Sequence, residues 1–198
     1  MTNASGTSMV DTLVALALMG LGVAIALPSL TSLRGQASLE RVARQLAADA
    51  IRCRAEAINR RANVALVFDQ HGDRFSYVPV ADGDGDGVLR RDIQRGQDRP
   101  CGPRIRLDDL CRGARIGVPP GWGVPDPAGR GRLAPGDGVR AGRSDMLSFS
   151  PLGDATPATV YFNDGRERML AVRIYGGTAR VRVLEWRRGW AGWRRIAL

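Results

Sequence analysis

From residue 12 to residue 33 the chain carries no charged side chain: TLVALALMGLGVAIALPSLTSL. As a helix this run is about 33 Å long, enough to cross a hydrocarbon core of about 30 Å. A buried helix in a soluble protein rarely extends so far without a charge, so the run reads as a transmembrane or signal segment. It is not built as an ordinary secretory signal, which has a basic start, a shorter apolar region and a small-residue cleavage site after it. Here a polar leader, MTNASG, comes first, and an acid, Asp11, stands at the edge of the apolar run. A carboxylate beside a membrane span is expensive to hold there, which marks Asp11 as a functional position.

Gly6, then TSMVD, then an apolar run reaching Pro28, resembles the class III signal of type IV pilins and type II secretion pseudopilins. The resemblance implies that a prepilin peptidase cuts between Gly6 and Thr7 and methylates the new amine of Thr7. It also implies a single-pass bacterial inner-membrane protein with a periplasmic body, and it gives Asp11 and Pro28 to subunit assembly. The physical reading agrees. A charged Thr7 amine in a poorly hydrated bundle is neutralised by Asp11 of a neighbouring subunit, and a paired charge costs far less than two lone ones. The plainer alternative is that Asp11 only marks the membrane interface.

Pro28 lacks an N–H and is expected to kink or loosen the helix. Beyond it Leu39, Val42, Ala43, Leu46, Ala50, Cys53 and Ala57 recur at three- and four-residue steps, the pattern of an amphipathic helix with one buried stripe. Strands are expected at residues 63–69, 74–80, 114–118, 146–150, 158–163, 168–175 and 179–186, with turns at Asn163-Asp164-Gly165 and Gly176-Gly177. The Gly-, Pro- and Arg-rich residues 104–142 read as a long exposed loop region. The expected fold is α+β, a long N-terminal helix, transmembrane in its first half, followed by an antiparallel β-rich domain. Its parts would be a leader (1–6), a transmembrane segment (7–33), an amphipathic periplasmic helix (34–61), a globular domain (62–185) and a basic aromatic tail (186–198).

Residues 144–164, with their Phe149-to-Gly153 "Phe-x-Pro-x-Gly" loop, and the hairpin after them resemble the C-terminal half of the GspH/FimT group of minor pseudopilins. The resemblance implies a structural subunit of a type II secretion pseudopilus or type IV pilus, near its tip. Its partners would be other pilins or pseudopilins, the prepilin peptidase and the inner membrane. Some members of that group bind DNA for natural transformation through glycine–arginine–x–arginine on the last hairpin. Arg180 and Arg182 stand at the two arginine positions, with Ala179 in the glycine's place.

The net charge is +9, all of the basic residues being Arg, a balance that suits an acidic partner, DNA or anionic lipid and that a GC-rich genome also produces. The charge peaks at the end, where Arg187, Arg188, Arg194 and Arg195 interleave with Trp186, Trp190 and Trp193. Such a segment can hold phosphates and stack on bases, lie on lipid headgroups, or dock on a neighbouring subunit; an ordinary basic tail is the alternative. Of three cysteines, Cys101 and Cys111 flank a short stretch and form either a disulfide or two unrelated thiols, while Cys53 falls on the buried helix stripe.

Asp82, Asp84 and Asp86 alternate with glycines as in the start of a calcium loop, which makes calcium the one cofactor to consider. Ile93 stands where a bidentate acid would complete the set, with Asp92 one residue early; a solvated Asp-Gly loop is the alternative. No enzyme is indicated: the single histidine, His71, has no sequence-level partner, and no HExxH, P-loop, nucleophile-elbow or dinucleotide fingerprint is present.

Overall fold

The computed structural model describes residues 9–197 apart from 73, 112, 130 and 143, and the side chains of 22–37 lie outside the described set. The elements are a helix α1 (Met9–Arg60), strands β1 (Val64–His71) and β2 (Arg74–Ala81), helix α2 (Arg90–Arg95), strands β3 (Arg99–Pro100) and β4 (Ile105–Arg106), and helix α3 (Leu107–Leu110). There follow β5 (Arg115–Ile116), β6 (Val139–Arg140), β7 (Met146–Phe149), β8 (Ala158–Asn163), β9 (Arg168–Tyr175), β10 (Arg180–Arg187) and β11 (Arg194–Ile196). The chain divides into two compact units, residues 1–37 and 38–198.

The first unit holds the start of α1. Met9, Val10, Leu13, Val14, Leu16, Leu18, Met19 and Leu21 are all between 52% and 80% exposed. Among the described residues no helix is long and apolar enough to cross a membrane; the uncharged run passes beyond residue 21, where the described side chains stop until residue 38.

The second unit is two antiparallel sheets against the rest of α1. Sheet one has the order β3-β2-β1-β7, with β4 also on β2; sheet two has the order β11-β10-β9-β8-β5, with β6 also on β8. Leu39, Val42, Ala43, Leu46, Ala50, Cys53 and Ala57 form the buried stripe, as their spacing predicts. They share one core with Leu66, Phe68, Phe75 and Leu147 of sheet one and Val160, Phe162, Leu170 and Val172 of sheet two. Successive strand residues point to opposite faces, yet β1 and β9 each open with five buried residues in a row. Both faces are covered. Val88 and Ile93 from the connection after β2 lie on the outer face of sheet one, and Val118, Val124 and Leu133 lie on the outer face of sheet two.

Two expectations change here. Residues 104–142 are not simply an exposed loop: they supply β4, α3, β5 and β6 and bury Leu107, Cys111, Val118, Val124, Leu133 and Ala141. The aromatic end is likewise no free tail, since Trp186 and Arg187 continue β10 and the chain returns as β11, pairing Leu184 with Arg195. Proline and glycine spacing announced turns but not the apolar residues between them that cap a sheet.

Candidate functional site

The side chains that fix α1 to the sheets are polar. Asp49 lies beside the apolar stripe, 3% exposed, and its carboxylate accepts hydrogen bonds from Tyr77 Oη at 2.7 Å and Gln45 Nε2 at 3.1 Å. Arg52 pairs with its other oxygen at 2.9 Å. Burial, reinforced by the hydrogen bond to Asp49, pushes the Tyr77 hydroxyl pKa far up, so it stays a donor. On sheet two, Arg168 donates from Nε to Glu185 at 2.7 Å and from a terminal nitrogen to Glu40 of α1 at 2.6 Å. Arg187 holds the same Glu185 oxygen at 2.8 Å. Burial alone would raise the Glu185 carboxyl, but the two guanidinium groups outweigh it and hold it below the ordinary range. Sequence reading missed both clusters; the available signal was a charged residue, Asp49, close to the apolar stripe.

Gly6 and Thr7 lie outside the described residues. Asp11 is exposed in the first described turn of α1, and α1 runs through position 28, where the proline side chain is outside the described set.

At the last hairpin the structure gathers a basic row. Arg182 of β10 is directly opposite Arg173 of β9, and Arg180 opposite Tyr175. The guanidinium carbons of Arg173 and Arg182 stand 5.0 and 5.2 Å from the centre of the Tyr175 ring. Like charges directly opposite on a sheet are unfavourable, and cation–π contact returns about 0.5–1 kcal/mol each at exposed sites. Arg173 also donates to the Pro127 carbonyl at 2.9 Å, whereas Arg182 Nε is buried with no hydrogen-bond partner among the described residues. Arg180 is exposed.

The remaining basic candidates are divided by what they touch. Arg187 is committed to Glu185, and Arg188, Arg194 and Arg195 are exposed. The tryptophans are largely spoken for. Trp186 is buried and donates to the Trp190 carbonyl at 3.0 Å, and Trp193 donates to the Pro125 carbonyl at 2.6 Å and packs on Tyr161. Trp190 carries Arg194 over its ring at 4.1 Å. Stacking of all three on a nucleic acid would require this packing to open.

In the aspartate loop the carboxylates of Asp82, Asp84 and Asp86 each bring an oxygen within 4.8 Å of the others, the hard-oxygen set that calcium takes. Asp82 is at the same time the organiser of the loop: it accepts from the N–H groups of Asp84, Gly85 and Gly87 and from Asn63 Nδ2. Burial opposes its charge, but these donors together hold its carboxyl below the ordinary range. Asp84 shifts the other way, through desolvation first and the adjoining Asp86 next. Asp92 is buried, with one oxygen 3.1 Å from Arg91 and the other 3.7 Å from Arg95. A further buried acid, Asp98, takes the N–H groups of Gly83 and Leu89.

The three cysteines are free thiols in the structure, Cys53 and Cys111 buried and Cys101 half-buried. Cys53 is pushed up to about 12 by burial first and by the proximity of Cys101 next, which leaves it protonated and unreactive at neutral pH. His71, exposed on the β1–β2 hairpin, pairs with Asp69 at 2.9 Å.

No individually curated protein and no solved structure matches the chain. The family profile described as type II transport protein GspH matches residues 42–183, most of the chain and nearly all of the two-sheet unit. This chain belongs to the GspH family, the minor pseudopilins of type II secretion.

Proposed function

We propose that the protein is a minor structural subunit near the tip of a type II secretion pseudopilus, stored in the inner membrane by the first part of α1 and then packed against other pseudopilins. The observation that carries this is the row of exposed apolar side chains from Met9 to Leu21 at the head of an uncharged run. Water leaves such a surface uncovered, and only lipid or other apolar helices remove it. Cleavage after Gly6 frees the Thr7 amine, and Asp11 of the next subunit neutralises it, which sets the register of addition. The two-sheet unit, braced to α1 at Asp49 and Glu40, is the periplasmic head.

N-terminal sequencing of the protein from membranes tests the reading. A start at N-methylthreonine supports it, and a retained leader on protein recovered from the soluble fraction refutes it. Asp11→Ala should still enter the membrane but join filaments poorly; normal incorporation removes the pairing role.

One observation favours a second reading, DNA capture during uptake. Arg173 faces Arg182, Arg182 Nε has no hydrogen-bond partner among the described residues, and Arg180 is exposed beside them, an arrangement that an anion such as phosphate would relieve. A gel shift across a salt series, with an Arg180→Ala/Arg182→Ala variant, tests it; no shift at low salt eliminates it.

A further inference from the structure

The outward side of α1 in the two-sheet unit carries an apolar row. Ala48, Ile51, Ala55 and Ile58 are all exposed, with Ile51 at 54% and Ile58 at 46%. Their spacing of three, four and three residues is that of a coiled-coil seam, and it lies opposite the buried stripe. An isolated surface helix normally turns charge outward here.

The seam is widened by a loop. The turn after β7 brings Gly153 against α1: its carbonyl accepts from Arg54 Nε at 2.9 Å, and a side chain at that glycine would lie 3.6 Å from Ile58 Cδ1. Gly153 has a φ of 87°, which favours glycine, so the turn is shaped for this contact. One residue earlier, Leu152 is 94% exposed, the most exposed large hydrophobic side chain described. The loop therefore holds an apolar side chain out in solvent, one residue from the point where its backbone approaches Ile58.

Charge identifies the occupant. The exposed Arg44 and Arg41 continue the seam's spacing towards the N-terminus, and the exposed Arg52 and half-buried Arg54 flank it on either side. Glu40 and Glu56 are the acids beside it, and both are already bonded, Glu40 to Arg168 and Arg44 and Glu56 to Arg60. A second copy docking here would set arginine against arginine, and edge charges choose partners in helix pairs.

We propose that Ala48, Ile51, Ala55, Ile58 and Leu152 form a docking seam for the amphipathic helix of a different, acid-flanked pilin-like subunit. The inference rests on the filament reading above and adds the partner's chemistry to it. Alanine alternating with isoleucine lets the two backbones approach closely, and Leu152 closes one side over the incoming helix.

The test uses the full chain in lipid nanodiscs and two synthetic helical peptides with leucines at the seam positions, one flanked by Glu and the other by Lys. The Glu peptide should bind, read by fluorescence anisotropy, and the Lys peptide should not. Ile51→Asn/Ile58→Asn should weaken binding about tenfold or more. Leu152→Ser, at a site too exposed to affect folding, should weaken it with an unchanged melting curve. Equal binding of the two peptides, or unaltered binding by both variants, overturns the proposal. Secretion by a deletion strain separates this from the wider reading. Full complementation by Ile51→Asn/Ile58→Asn, where the empty strain fails, sinks the seam alone. Normal secretion by the empty strain sinks the filament reading itself.

Discussion

Replacing Arg168 by Met removes a single guanidinium that α1 and sheet two both use. The side chain is 4% exposed and bonds Glu185, 10% exposed, and Glu40, 34% exposed. Removing one member of a buried ion pair costs about 3–5 kcal/mol, because the partner is left charged and dry. Two features place this case at the low end. Glu185 keeps Arg187 at 2.8 Å, and Glu40 keeps Arg44 at 3.5 Å with water at hand. The expected loss is about 3 kcal/mol, or a fall in melting temperature of about 6–12 °C for a domain of this size.

Glu40→Gln, at the wetter end, should lose only about 1 kcal/mol. Tryptophan fluorescence during urea unfolding at pH 7 measures both, and the double variant should lose less than the sum. The pH dependence has a definite sign. The folded carboxyl of Glu185 is held below its unfolded value, so its stabilisation is full above about pH 4.5 and disappears as pH falls through the lower folded value. Arg168→Met should flatten that acid limb. A variant within 1 kcal/mol of the native protein, or one whose acid limb is unchanged, refutes the assignment of Arg168 as the clamp.

Three further outcomes follow from neighbouring geometry. Tyr77→Phe leaves Asp49 with Arg52 and Gln45 and should lose about 1.5–3 kcal/mol, the value of a hydrogen bond to a charged group, by the same urea assay. Gly83→Ala would put its new carbon 2.1 Å from the Gln97 carbonyl oxygen, a backbone atom, and should lose about 1–3 kcal/mol with faster hydrogen exchange across the aspartate loop. Asp84→Asn removes a carboxylate whose ionisation the fold opposes, and should melt no lower than the native protein in EDTA; calcium that raises the native melting temperature and not the variant's would mark the loop as a hard-cation site.

Periodicity made the helix stripe and the central strands legible. The residues from Leu39 to Ala57 repeat at helical steps, and β8 and β9 are bounded by an Asn-Asp-Gly turn that the sequence displays outright. Of the short strands only β5 lies within an expected strand, at 114–118; β3, β4 and β6 were not legible, because two-residue strands carry no period and owe their pairing to β2 and β8. The same limit hid the packing of the tryptophans. Arg-Trp alternation looks alike whether the rings face solvent or, as with Trp186 and Trp193, a covering loop. Arg180 and Arg182 were found on one strand face from their spacing, but Arg173 joined them only through the β9–β10 register. The clamp at Arg168 joins residues 128 positions apart in the chain, a distance over which local pattern carries no signal.

Glu40 and Asp49 are nine residues apart, which at 100° per residue is half a turn around the helix. One is held by sheet two and the other by sheet one, so a roll in either direction stretches one tether or the other. The helix behaves as a keyed shaft: its azimuth is set inside the subunit before any neighbour arrives. Whatever meets its outer side therefore finds Ile51 and Ile58 already aimed, and the encounter spends little entropy on orienting them.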